Sequence, residues 1–495
     1  MKAIIPQFDE NSKRAHYLQL YDYIKNSILQ GDIRAGEKLP SLRSLAATLG
    51  LSITTIDTAY SQLLVEGYIY SRPQSGYYAA EITKKIPAAR VAHESREPFS
   101  GSGEPSLMYD LSCFDFVKWK KCMNRVLTEY PHLLFFESEP QGEAFLRSEI
   151  SRYVYASRGV MCEPEQIVIG AGTQQITSQL SRLLHRLNIG HVSVEEPGYL
   201  PVINIFRDSG FVLTHVNVLQ DGIDISRLPR NIPSAVYVSP SNQFPTGALM
   251  PVGKRYELLE WAAENNSIII EDDYDSELRY FGKPVPALQG LDTQGHVVYL
   301  GSFSSTLFSA IKISYMVLPP KLAQIFAATK GHYIQTCSKA EQLTLALFMK
   351  EGLFQTNIKK LRNLYAQKLQ AVIGAVNEYG EGRISLSNTT SGVNTIIEVS
   401  NKKTADELCR IAREMKISMR PVVLNMTAPK SVAVSAPASV SVSEAVSPGA
   451  AAPEADAATG EISEPVRMLV FYYNQIPLEL INESLKKLFS SWAAE

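Results

Sequence analysis

Apolar positions change period twice along this chain. Between Ala15 and Gln30, residues Tyr17, Leu20, Tyr21, Ile24 and Ile28 recur at helical spacing, which predicts an amphipathic helix that Gly31 can end. Leu42, Leu45, Ala46 and Leu49 predict a second helix opened by Pro40 and Ser41. Gly50 and Leu51 make a turn, and Ser52 caps a third helix carrying Ile56, Ala59, Tyr60, Leu63 and Leu64 on its apolar face. The segment GYIYSRPQSGYYA then predicts two short strands around a turn at Pro73 to Gly76.

Residues 83–106 mix Pro, Gly, Ser and charge without periodicity and read as a linker. As flexible coil, such a segment spans about 27 Å on average and up to ~80 Å stretched. Beyond it, apolar runs alternate with helical periodicity over some 300 residues, implying an α/β domain with a mostly parallel sheet. Within Val297 to Leu318, the runs VVYL and ISYMVL read as two buried strands. From Thr427 to Pro465 the chain is rich in Ala, Ser, Pro, Val and Glu and has no aromatic residue. It cannot bury enough apolar surface to offset its ordering entropy, so a disordered insertion is expected. The expected division is therefore a domain over 1–82, the linker, and a second domain over 107–495.

Composition narrows the function classes. At 495 residues, 45% hydrophobic and 20% charged, the chain is a multi-domain globular protein. A formal net charge of −2 makes any nucleic-acid surface local rather than global. Residues 1–85 hold ten Lys/Arg against eight Asp/Glu, a net of +2. Cys113, Cys122, Cys162, Cys337 and Cys409 show no metal-ligand spacing, so no zinc site is expected and reduced thiols in a cytoplasm are. No apolar leader and no run of about 18 apolar residues occurs, so no membrane partner is expected.

The candidate chemistry lies between the strands of 297–318. Four hydroxyls, Ser302, Ser304, Ser305 and Thr306, precede one cation, Lys312, a composition suited to a phosphate dianion and equally found in ordinary Ser/Thr turns. QIVIGAGTQQITSQLSRLL adds a strand, a glycine turn and a helix whose first N–H groups also suit a phosphate.

Two family resemblances organise these features. The pattern L-P-S-x-R-x-L-A, S-x-x-T, A-Y-x-x-L and E-G-Y resembles the winged helix-turn-helix of the GntR superfamily over about 65 residues. That resemblance implies binding to a double-stranded DNA operator. Ser41 and Arg43 would touch phosphates, Ser52, Thr54, Thr55 and Tyr60 would face the major groove, and Arg72, Gly76 and Tyr77 would line the wing. The family often has an arginine just after the capping serine, where this chain has Ile53.

The remainder resembles fold-type I aminotransferases that bind pyridoxal phosphate, in the form found in MocR-type (GabR-like) regulators. The motifs occur in family order: the glycine turn, VSVEEPGY, VYVSPSNQFPTG, IIIEDDYDSELRY and the 297–318 segment. The resemblance covers nearly all of 109–425 and resumes near 466, where the last strand and helix of a smaller C-terminal α+β subdomain are expected. It implies that Thr173 and Gln174 form the phosphate turn, that Tyr199 covers the cofactor ring, and that Asp272 pairs with the ring nitrogen beside Tyr274. Asn242 falls where the family usually has histidine. Against the family's G-T-F-S-K-T-L-F-P-x-x-R-x-G-Y, the cofactor lysine falls on Ser305 and the phosphate arginine on Lys312. A serine hydroxyl cannot form a Schiff base, which leaves pyridoxal phosphate as a non-covalent ligand or none. Ile203 stands where many such sequences carry an arginine for an amino-acid carboxylate.

The resemblance thus implies a transcription regulator, a head-to-tail homodimer, whose aminotransferase-like domain senses a small-molecule effector without transaminase activity. An aminotransferase carrying a DNA-binding appendage, or a large domain that only dimerises, remain as alternatives.

Overall fold

The computed structural model describes residue 8 and residues 14–82, 108–280, 285–422 and 465–493. The linker expected over 83–106 and, apart from Pro465, the insertion expected over 427–465 lie outside the described residues. The chain forms two compact units, Met1–Ser100 and Gly101–Glu495.

In the first unit, α1 (His16–Gln30), α2 (Leu42–Leu49) and α3 (Ile53–Val65) precede the antiparallel strands β1 (Ile69–Arg72) and β2 (Gly76–Ala79), paired with Ile69 opposite Ala79. The local signals act as their chemistry dictates. The Ser41 and Ser52 hydroxyls accept hydrogen bonds from the Ser44 and Thr55 amides, capping α2 and α3. Gly50 ends α2 in the left-handed region (φ 66°), so α3 can turn back across it. Leu20, Ile24, Leu45, Ile56, Ala59, Tyr60, Leu63 and Ile69 share one buried core.

The second unit opens with α4 (Phe116–Glu129) and α5 (Ala144–Arg158) and then alternates strand and helix: β3 (Ile167–Gly170), α6 (Thr173–Arg186), β4 (His191–Glu196), α7 (Leu200–Asp208), β5 (Val212–Leu219), β6 (Gly222–Ile223), β7 (Ala235–Val238), α8 (Val252–Glu264), β8 (Ile268–Asp273), β9 (Val297–Ser302) and β10 (Ser314–Val317). These strands make one eight-stranded sheet ordered β3-β10-β9-β8-β7-β4-β5-β6. The central pairs are parallel, and β10 runs antiparallel to both of its neighbours. Both faces are covered, which is why β7 and β8 are unbroken buried runs with no polar alternation. Ile270, Val298 and Leu300 pack on one side, and Ile269 and Val297 on the other.

Helices α9 (Pro320–Thr329), α10 (Lys339–Lys350) and the 27-residue α11 (Leu353–Tyr379) lead to a smaller antiparallel sheet. It is built from β11 (Ile384–Ser387), β12 (Thr395–Ser400), β13 (Met419–Pro421) and β14 (Val466–Phe471), with α12 (Ala405–Glu414) and α13 (Ile481–Ala493) packed in its core. No helix among the described residues is long and apolar enough to cross a membrane.

Candidate functional site

Parallel strands deliver their C-terminal ends to one edge of the large sheet, and β10, being antiparallel, begins there. Residues at the ends of β3, β4, β7, β8 and β9 and at the start of β10 therefore meet, as ligand sites of open α/β sheets do. A cavity of about 730 Å³ opens at this edge, its far side closed by the smaller sheet.

One pole of the cavity is built for an anion. Gly172, at φ 87°, turns the chain from β3 into α6, whose first N–H groups, at Thr173 and Gln174, lack helical partners. Lys312 adopts the left-handed conformation (φ 48°, ψ 33°), uncommon for a long side chain, and this carries its aliphatic stem over Gly172. Ser302 and Ser304 complete the pole. Ser302 Oγ receives hydrogen bonds from Ser314 Oγ at 3.0 Å and from the Ser304 amide at 3.3 Å.

The floor is acidic. Asp272, the next-to-last residue of β8, is buried and accepts a hydrogen bond from the Tyr237 hydroxyl. Burial pushes its carboxyl up to about 7, against the lowering effect of that bond. Behind it, Glu195 accepts from the Ser239 amide and the Gln243 side chain, each at 3.2 Å, and burial pushes its carboxyl up to about 8. Aromatic rings form the walls: Phe244 stands edge-on to Tyr199 at 5.7 Å and to Tyr274 at 6.2 Å.

Nine of the ten expected ligand residues, Thr173, Gln174, Tyr199, Asp272, Tyr274, Ser302, Ser304, Ser305 and Lys312, line this cavity. Asn242 does not. It is buried behind the wall, where its side-chain amide donates to Asp275 at 2.8 Å and to the Tyr274 hydroxyl at 3.3 Å and its oxygen accepts from Ser391, so its hydrogen bonds hold Tyr274 in place. Sequence reading missed Phe244, although it lies inside the quoted SNQFPTG turn. It also missed Asn394 and Arg420, which the smaller sheet brings in without any local signal. Among the described residues lining the cavity, Lys312 is the one lysine and Arg420 the one arginine.

A pyridine ring bearing a phosphate fits this donor set: cation, hydroxyls and helix terminus for the phosphate, stacking rings for the heterocycle, and a buried carboxylate for a ring nitrogen.

In the first unit, Ser41, Arg43, Ser52, Thr54, Arg72 and Gly76 are exposed, and Thr55 and Tyr77 half-buried. Tyr60, expected in the groove, is fully buried beneath Tyr77, and its hydroxyl donates to the Pro40 carbonyl at 3.1 Å. It packs with Ile56 and Leu63 in the core behind α3.

This architecture joins a DNA-reading winged helix to an aminotransferase-type sheet and cavity. Residues 16–78 match the family of bacterial regulatory proteins called gntR, and residues 112–445 match aminotransferase class I and II. The chain is 39% identical over 424 residues to the uncharacterized HTH-type transcriptional regulator YdeL of Bacillus subtilis, covering 83% of this chain and 89% of that protein. It is 31% identical to the probable rhizopine catabolism regulatory protein MocR of Rhizobium meliloti, covering 84% and 88%. Among solved structures, LysN, an alpha-aminoadipate aminotransferase from Thermus thermophilus, shares the fold with a TM-score of 0.61 at 22% identity, covering 79% of this chain and 91% of that one. The chain belongs to the HTH-type transcriptional regulators in which a GntR domain precedes an aminotransferase-like domain, a fold family that normally binds pyridoxal phosphate.

Proposed function

We propose that this regulator binds operator DNA as a head-to-tail homodimer in the cytoplasm, that its cavity holds pyridoxal phosphate or a related phosphorylated ring without a covalent bond, and that it does not transaminate. The observation that carries the cavity reading is Lys312 lying over Gly172 at the start of α6, with no second lysine among the described lining residues. In this reading Ser305 stands where the family has its cofactor lysine. Bound pyridoxal phosphate would supply an electrophilic aldehyde and an electron-accepting ring. This chain's residues then act only as binders. Lys312, Ser302, Ser304 and the Thr173–Gln174 turn would hold the phosphate, Asp272 would pair with the ring nitrogen, Tyr199 would cover the ring with Tyr274 near its hydroxyl, and Ser305 would leave the aldehyde free for a small-molecule effector carrying an amine.

In the DNA unit, Ser41 and Arg43 would hold phosphates, Ser52, Thr54 and Thr55 would face the major groove from the start of α3, and Arg72, Gly76 and Tyr77 would form the wing contact. Two titrations of the full-length protein test this. With pyridoxal phosphate, saturable binding without a borohydride-fixable protein adduct is expected, and either no binding or an adduct on the protein contradicts the cavity reading. With DNA, Arg43→Ala should weaken all sequences about equally, whereas Thr54→Ala should cost ~1–3 kcal/mol at the cognate site and alter preference. Unchanged affinity in both variants would sink the DNA assignment.

A further inference from the structure

The first turn of α3 offers DNA an unusual chemistry. Its thirteen residues, ITTIDTAYSQLLV, contain no lysine and no arginine, and their one charge is the exposed Asp57. A helix without a cation cannot make the forked contact to guanine O6 and N7, and a carboxylate repels those acceptors. The hydroxyls at its start also bond within the helix. Ser52 Oγ accepts from the Thr55 amide at 3.1 Å and lies 2.8 Å from both Thr54 Oγ1 and Thr55 Oγ1, while Thr58 Oγ1 donates to the Thr54 carbonyl at 2.8 Å. Ile53, the first residue of α3, is 50% exposed. It cannot be serving the core of its own unit, which Leu20, Ile24, Ile56, Ala59 and Leu63 fill behind it.

We propose that Ile53 reads the 5-methyl group of a thymine in the major groove, so that this regulator selects a T·A pair at the base step facing the start of α3. The inference rests on the reading above that α3 enters the groove. The physical basis is selective. Thymine alone among the four bases presents a methyl group at the groove edge, and covering it removes apolar surface from water on both partners. One buried methyl or methylene is equivalent to roughly fourfold in affinity. Because Ile53 carries no charge, its contribution is independent of salt, unlike that of Arg43 or Arg72.

The test uses the full-length protein and a duplex enriched by that protein from a random library. Each thymine is replaced in turn by deoxyuridine, which keeps base pairing and removes only the methyl. For the wild type, one such replacement per half-site should weaken binding roughly threefold to fivefold. Ile53→Ala should bind the parent duplex more weakly by a similar factor, be indifferent to deoxyuridine at that position, and keep the wild-type salt slope. Ile53→Val, which retains branched methyls, should keep most of the sensitivity, and Ile53→Arg should shift preference there from T·A to G·C. Ile53→Ala with undiminished response to every methyl overturns the proposal, as does an enriched duplex without thymine in the protected half-sites. If Thr54→Ala and Arg43→Ala behave as expected while Ile53→Ala keeps its methyl response, this inference alone falls. If all three leave binding unchanged, α3 does not enter the groove and the DNA reading falls with it.

Discussion

Ser305 donates its hydroxyl hydrogen bond to the backbone carbonyl of Tyr274, the residue that follows β8. The bond ties the serine-rich turn after β9 to the neighbouring strand end, 31 residues back in the sequence, beside Asp272. Ser305→Lys would exchange this tether for an amine in the same cavity. The expected result is a borohydride-reducible covalent link between pyridoxal phosphate and residue 305, found by mass spectrometry of the digested protein. A variant that folds and binds the cofactor yet gives no adduct would show that residue 305 does not face the ring.

Lys312→Gln removes the charge of the phosphate-facing side chain, shortening it by one atom while keeping a hydrogen-bond donor. A hydrogen bond to a charged group contributes ~1.5–3 kcal/mol, so pyridoxal phosphate affinity should fall by about one to two orders of magnitude. Pyridoxal without the phosphate should bind the wild type and the variant equally. Isothermal titration of both ligands makes the comparison, and equal losses for the two would place Lys312 away from the phosphate.

Three buried carboxyls on β4 and β8 predict a pH dependence of stability. Burial raises Glu195 from 4.5 to about 8, Glu271 from 4.5 to about 7 and Asp272 from 3.8 to about 7. A carboxyl raised in the folded state binds its proton more tightly than in the unfolded chain. Its contribution is fully present below the unfolded value and is lost as pH rises through the folded one. The melting temperature of the ligand-free protein should therefore decline between about pH 5 and pH 8. Glu195→Gln, which preserves shape and acceptor, should flatten the upper part of that decline. A stability that rises across this range contradicts the assignment.

Arg158 Nε meets Asp273 Oδ2 at 2.7 Å, with both side chains almost wholly buried, and the Tyr299 hydroxyl donates to the same oxygen at 2.7 Å. Removing one partner strands a charge in the interior. Asp273→Ala should cost ~3–5 kcal/mol in denaturant unfolding, more than replacing both members with apolar residues of similar volume. A loss under about 1 kcal/mol would mean that water reaches the vacated site.

Local chemistry determined much of this protein. Ser41, Ser52, Gly31 and Gly50 placed the helix ends because caps and left-handed turns involve only residues a few positions apart. The apolar runs at 235–238 and 268–270 became strands buried on both faces, and the hydroxyls at 302, 304 and 305 line the same cavity as Lys312. Period alone could not settle Tyr60. An aromatic with a hydroxyl suits either a core or a groove, and only the packing of Tyr77 and the Pro40 carbonyl against it decided for the core. Tertiary structure likewise set Asn242 behind Tyr274 and brought Arg420 and Asn394 into the same cavity as Lys312. Those neighbours are joined by the return of the chain through a second sheet, and contacts between segments tens to hundreds of residues apart leave no periodic trace in either one.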